Sequence, residues 1–300
     1  MVRPSWRSAY LSGLLLIGAI GCNQSTGNST PKEIPHVEPP ALGAQFEPAA
    51  TGSIRGRVAW NGPLPVSNSY REAKIVFGSL ADATDRNNPL FPRIAPDQQG
   101  IGDVVVFLRS VDPERSKAWD LSTASLEMRD SGLSIQQAQG RHRAGFIPVG
   151  STMEMVSAGP KFEMLRARGA AFFTQAFPDL TKPSRRSFTQ PGVVEFSSAA
   201  GNYQSRVWLF VVAHPYWVHT DDDGAFTLEQ VPEGRYELVA WMPNWRVERF
   251  ERDPENGFVA RLWYEKPVEK IAEIEVKRGQ TANIDFSYAI GDFSGKFGPK

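Results

Sequence analysis

Thr220-Asp221-Asp222-Asp223-Gly224-Ala225-Phe226-Thr227-Leu228 and, two residues further on, Val231-Pro232-Glu233-Gly234-Arg235-Tyr236-Glu237-Leu238-Val239-Ala240-Trp241 each read as a turn feeding a strand. Gly224 and Gly234 supply turn geometry, and Phe226, Leu228, Tyr236, Leu238 and Ala240 alternate toward one face. The same period of two continues outward in both directions. Downstream it predicts strands over Ile271–Val276 and Ala282–Tyr288, and upstream over Val193–Phe196 and Val207–Ala213. Near the start of the body, Ile54, Val58 and Trp60 alternate with Arg55, Arg57 and Ala59, until Asn61-Gly62-Pro63 ends the run. Val104-Val105-Val106-Phe107-Leu108 is apolar without a break, the pattern of a strand covered on both faces. Helical spacing is confined to Ser116–Ala124. The expected fold class is all-β.

The chain has 300 residues, room for two domains of ordinary size. Its 33 basic and 33 acidic residues cancel, which leaves no field of one sign to draw it onto nucleic acid. The 26 glycines and 23 prolines suit short strands joined by tight turns. One cysteine, Cys22, excludes an internal disulfide, a CxxC redox pair and any multi-thiolate zinc site.

Cys22 has another use. Arg3 and Arg7 precede a run of about ten largely apolar residues from Leu11 to Ile20, too short to span a bilayer and right for a signal peptide. The run closes with Ala19-Ile20-Gly21-Cys22, which resembles the lipobox of bacterial lipoproteins, with Ala19 where leucine is usual. The resemblance implies that residues 1–22 are a signal peptide and lipobox, that Cys22 is acylated, and that the chain is exported and membrane-anchored by lipid. Asn23 in second place favours the outer membrane. Residues 23–51, polar and then Pro-rich, read as a disordered tether with a reach of roughly 30 Å.

The turn-and-strand grammar quoted first resembles the carboxypeptidase regulatory-like domain, a transthyretin-like β-sandwich, over residues 214–290. Residues 52–213 resemble a cupredoxin-like sandwich through Ser53–Trp60, Val104–Leu108, Ile147–Met155 and His214-Pro215-Tyr216. Together they imply two β-sandwiches in tandem after the tether, with 291–300 as a tail. In the cupredoxin-like family a histidine, then a cysteine, histidine and methionine, would hold copper. Here those positions fall at about Glu163 and within Ser198–Ser205, and the latter stretch offers no thiol, imidazole or thioether. Type-1 copper needs the thiolate, so no copper cofactor is expected; no metal ligand is assigned, the alternative being a weak metal site at His214 and His219 with Asp221 close by.

Enzyme signatures are missing as well. The chain has no GxSxG, HExxH or GxxxxGK[ST], and no catalytic residue is assigned. Glu251, Asp253 and Glu255 lie among Arg246, Arg249 and Arg252, as in a solvated ion-paired loop. Asp221-Asp222-Asp223-Gly224 lacks the EF-hand spacing and fits turn chemistry. His214 and His219 are five apart and would need a bend to converge, while His142 sits between Arg141 and Arg143 in a polar stretch. The candidate binding surface is aromatic: Phe172 and Phe173 in one loop, and Trp245, Trp263 and Tyr264 in or beside the charged insertion. The competing expectation has these rings capping sandwich ends or filling the interface between domains. The expected role is a non-catalytic envelope lipoprotein that is structural, adhesive or partner-binding. Carbohydrate binding is the alternative and copper electron transfer the least supported. The partners are the membrane and a protein or glycan of the envelope, with no nucleic acid.

Overall fold

The computed structural model describes residues 43–295, apart from 68, 77, 78, 130, 131, 160–162, 178–181, 200–204, 253, 256 and 258. The signal peptide, Cys22 and most of the expected tether lie outside the described residues. What is described is all-β: two sandwiches of twisted sheets, with three single-turn 3-10 segments. The helix expected over Ser116–Ala124 is not formed. Trp119 and Leu121 pack instead as irregular chain against the larger core.

One sandwich, here the host, has Thr51–Trp60 inside its first sheet. Ala225–Pro232 pairs with it antiparallel, and Thr281–Asn283 and Phe286–Tyr288 pair with it in parallel. The second host sheet runs Trp217–His219, Val105–Arg109, Gly234–Met242, Val268–Val276. The other sandwich is inserted between Val105–Arg109 and Trp217–His219. Its sheets are Ala144–Pro148, Arg206–Val212, Gly192–Ser198, Glu163–Gly169, Phe173–Phe177 and Ser184–Ser187, Thr152–Ser157, Ser125–Arg129, Gly132–Gln137, Gly140–His142.

This pairing corrects the boundary expected between 213 and 214. Ile54, Val58 and Trp60 turn inward from the first strand and bury with Phe226, Leu228, Phe286 and Tyr288, with Ile54 opposite Leu228 and Val58 opposite Phe286. Val105–Arg109 likewise pairs with Gly234–Met242, Val106 opposite Ala240. Both early strands therefore complete the C-terminal sandwich, and the inserted sandwich holds only about residues 124–212.

The unbroken apolar run 104–108 has a direct explanation. One face of its sheet meets the host core, and the inserted sandwich covers the other. Strand Arg206–Val212 divides its side chains between two cores. Val207, Leu209 and Val211 enter the inserted core, while Trp208, Phe210 and Val212 join the host core. Phe210 lies 6.2 Å from Phe107 and 5.2 Å from Trp241, and Phe107 stacks on Trp217 at 4.0 Å. A β-strand sends alternate residues to opposite faces, so one strand can join two cores without a polar layer between them.

Two expected margins prove to be part of the body. Residues 43–51 are not tether. Gly43 and Gln45 donate backbone hydrogen bonds to the Ser116 and Glu114 carbonyls, Ala50 is buried, and Thr51 opens the first strand. The tail begins later than 291, because Phe293 is buried against Trp60, Trp245 and Tyr288, and the Gly295 carbonyl accepts from Arg246. The Asp221 turn fits turn chemistry: its Oδ1 accepts from the Asp223 and Ala225 amides. Gly224 there has φ +81°, and a β-carbon would sit 2.2 Å from the Val58 carbonyl oxygen, so only glycine fits.

Candidate functional site

Asp103 stands at the head of strand Val105–Arg109, where an apolar run would otherwise begin. Its backbone is left-handed, φ +63°, and its amide donates to the Thr220 carbonyl at 3.1 Å. That geometry turns the carboxylate inward, toward the seam between the two sandwiches. Oδ1 lies 2.8 Å from Nδ1 of His142, at the end of Gly140–His142, and Oδ2 accepts from the Arg143 amide at 3.2 Å and its Nε at 3.1 Å. Arg143 is buried, and its Nη1 donates to the Leu90 and Phe91 carbonyls, 3.0 Å each.

His219, ending strand Trp217–His219, completes the group. Its ring stacks on His142 at 3.9 Å with 7° between planes, and on Phe146 at 4.6 Å on its other side. Its Nε2 is 2.9 Å from the Ala144 carbonyl. Gly140 admits the His142 ring, since a β-carbon there would fall 2.4 Å from Nε2.

The electrostatics of the cluster follow from its burial. Desolvation alone would raise the Asp103 carboxyl. The His142 hydrogen bond and the charges of Arg143 and Arg93 more than reverse it and hold the group well below the usual carboxylate range. Burial, with the His142 charge, pushes His219 down to about 4, so this imidazole is neutral at pH 7. Burial also pushes His214 down to about 4, but His214 lies elsewhere, against Tyr216 and Trp217.

The seam also forms a cleft of about 650 Å³. Arg168, Val193 and Glu195 line it from the inserted sandwich, Trp241, Pro267 and Glu269 from the host, and Trp208 from the strand shared by both cores. Trp208 and Trp241 meet edge-on at 5.3 Å and are each only 5% exposed. Glu195 is paired with Arg206, and Glu269 with Arg109 at 2.6 Å, so both carboxylates are fixed in place.

The five aromatic residues expected to make a surface do not come together. Trp245 corrects the surface expectation and follows the competing one: it is 2% exposed, packed on Trp60, Phe91 and Phe293 at 5.9, 5.8 and 4.2 Å. The loop that carries it packs into the host core against Phe293. Phe172 is 84% exposed at a hairpin turn of the inserted sandwich. Phe173 beside it is half-buried beneath Arg186, whose guanidinium carbon is 4.4 Å from the ring centre. Trp263 is half-buried under Arg249 at 3.6 Å, and the Tyr264 hydroxyl is buried near Arg206. Among the described residues no ring contact joins Phe172 or Phe173 to the other three.

Of the copper-ligand positions implied by the resemblance, Ser198 lies opposite Leu165 in the inserted sandwich, and 200–204 are outside the described residues. They contain no copper-binding side chain. The histidines that do meet are His142 and His219, 77 residues apart, rather than His214 and His219. One sequence signal pointed to them. Asp103 interrupts the buried run Ile101–Leu108, and a carboxylate there needs partners from elsewhere in the chain.

Known proteins resemble parts of this chain. The family model of domain II of polysaccharide lyase family 4 matches residues 185–253. No curated protein matches the chain. Similar solved structures include a heme-copper terminal oxidase dimer, with 18% identity over 29% of this chain and a TM-score of 0.24; the chain spans 63% of that protein's length. A purple cupredoxin from Nitrosopumilus maritimus aligns at 15% identity over 30% of this chain and 99% of its own, TM-score 0.23. An oxidised amicyanin variant aligns at 10% identity over 36% and 98%, TM-score 0.24.

Proposed function

We propose that this protein is a lipid-anchored, non-catalytic binding protein of the bacterial envelope, and that the seam cleft takes a saccharide. The observation that carries the reading is the overlap between cleft and family match. Val193, Glu195, Trp208 and Trp241, four of the eight residues lining the cleft, lie within the segment matching a polysaccharide lyase domain. The cleft chemistry suits such a ligand. Arg168 and two immobilised carboxylates offer directional donors and acceptors to hydroxyl groups, beside the apolar edges of two indoles. The rigid frame around it lowers the ordering cost of binding.

The test is titration of the full chain with soluble neutral and uronate oligosaccharides, followed by tryptophan emission. Trp208 and Trp241 are the reporters. A saturable change is expected with at least one saccharide class, weakened about tenfold or more by Arg168→Ala, whose side chain is exposed and costs little stability. No saturable change with any class would end the saccharide reading, and accumulation of cleaved product would replace binding with catalysis.

Anchoring has its own check. No helix among the described residues is long and apolar enough to cross a membrane. In this reading attachment rests on acyl chains at Cys22, each buried methylene contributing about 0.8 kcal/mol. Cys22→Ala should abolish labelling by a fatty-acid analogue and partitioning into detergent. Equal labelling of both forms would exclude the anchor.

A further inference from the structure

We propose that Asp103, His142 and His219 form a divalent transition-metal site, of the zinc class, that clips the inserted sandwich to its host. This is independent of the saccharide reading. A carboxylate oxygen of Asp103 and one nitrogen from each ring lie within 4.8 Å of one another. Zinc bound by such donors needs bonds of about 2.0–2.2 Å, so the three atoms would have to draw in around the ion, a closure that movement of the His142 ring can supply.

The surroundings hold these donors as ligands are held. The second carboxylate oxygen is occupied by the Arg143 amide and Nε, which presents Oδ1 to the two rings. The Ala144 carbonyl fixes the His219 ring through Nε2. Outer hydrogen bonds of this kind, from carbonyls to ligating imidazoles and from donors to ligating carboxylates, are the usual support of a metal site.

The donor set also selects the ion. Magnesium and calcium depend on several oxygens and on negative charge. Here there is one carboxylate, with the Arg143 guanidinium on it and Arg93 at 4.0 Å. Only an ion that gains from imidazole nitrogen would bind beside those cations, which leaves zinc, copper(II) and nickel(II) chemistry. Binding displaces the proton shared by His142 Nδ1 and Asp103 Oδ1, which passes to solvent. His142, with 19% of its side chain exposed, is the ring free to tilt out of the stack and admit both the ion and a water as fourth ligand.

The clip joins distant parts of the chain. Asp103, in the turn before strand Val105–Arg109, and His219, in the strand paired with it, come from the host, and His142 from the inserted sandwich. An ion there would close the seam at one end, with the aromatic layer of Phe107, Phe146 and Phe210 behind it.

The experiment uses the full chain in detergent, stripped of metal with chelator and dialysed, then titrated with Zn2+ and separately with Co2+. One Zn2+ per chain is expected, with a rise in thermal midpoint and a cobalt ligand-field spectrum of low coordination number. His142→Gln and His219→Gln should each weaken binding by more than about 100-fold. His214→Asn should leave it unchanged. His142→Gln is the deciding variant because its partial exposure spares the core, and its saccharide titration should match wild type. Absence of stoichiometric Zn2+ in the wild type would overturn the proposal. So would wild-type affinity in a folded His142→Gln protein.

Discussion

Arg143→Met should lower the unfolding free energy of metal-free protein by about 3–5 kcal/mol, measured by urea denaturation in the presence of chelator. The reason is the carboxylate left behind rather than the guanidinium removed. The Asp103 side chain is 3% exposed and ionised, and Arg143 supplies the side-chain hydrogen bond to its Oδ2. Without it, a buried anion keeps His142 and the more distant, half-exposed Arg93. The loss is a large share of the 5–15 kcal/mol that ordinarily separates folded from unfolded protein. The double variant Asp103→Asn/Arg143→Met should recover part of it, since removing both charges abolishes the unpaired one. Single-variant losses below about 1 kcal/mol would show that the pair is dispensable to the seam.

Trp245→Ala should cost about 3–5 kcal/mol in the same measurement, through lost burial and the cavity left behind. The ring is enclosed by Trp60, Phe91 and Phe293, and Phe293 closes it from the end of the 3-10 turn Ile290–Asp292. The Trp245 indole Nε1 is buried with no hydrogen-bond partner. Trp245→Phe, which keeps an aromatic ring and removes that polar group, should therefore lose much less than the alanine variant. Phe172→Ala supplies the contrast: at 84% exposure it should change stability by no more than about 0.5 kcal/mol. Similar losses for Phe172→Ala and Trp245→Ala would contradict the burial described here.

These residues mark how far the sequence could be read. Strands such as Tyr236–Trp241 and Val207–Ala213 were legible because alternation is a local property, and both were found with ends moved by one or two residues. The run 104–108 was legible as doubly covered for the same reason. Strand partners were not legible. Ile54 faces Leu228 across 174 positions of chain, and nothing near Ile54 reports that distance. Resemblance grouped the early strands with their sequence neighbours, while hydrogen bonding groups them with the C-terminus. The Trp245 environment was hidden by the same cause, because Phe293 stood in an apparent tail. Asp103, His142 and His219 each looked ordinary alone; their meaning lies in a convergence that pattern and spacing do not encode. The expected aromatic surface failed in part because a large ring in a loop carries no periodicity to say which way it faces.

The position of Thr51–Trp60 inside its sheet also sets an order of assembly. This strand leaves the ribosome early, yet its three partners begin at Ala225, Thr281 and Phe286. Every strand of the inserted sandwich, by contrast, finds its hydrogen-bonding neighbours between Ser125 and Val212. The insert can therefore close while about half of the host is still unmade, and the host is completed only when nearly the whole chain is available. Pairings so distant in sequence are slow, and the wait leaves an apolar strand with two free edges exposed to other chains. The interval before the C-terminus arrives is thus the time of greatest aggregation risk, and a chaperone that shields residues 51–60 would act at the step that limits folding.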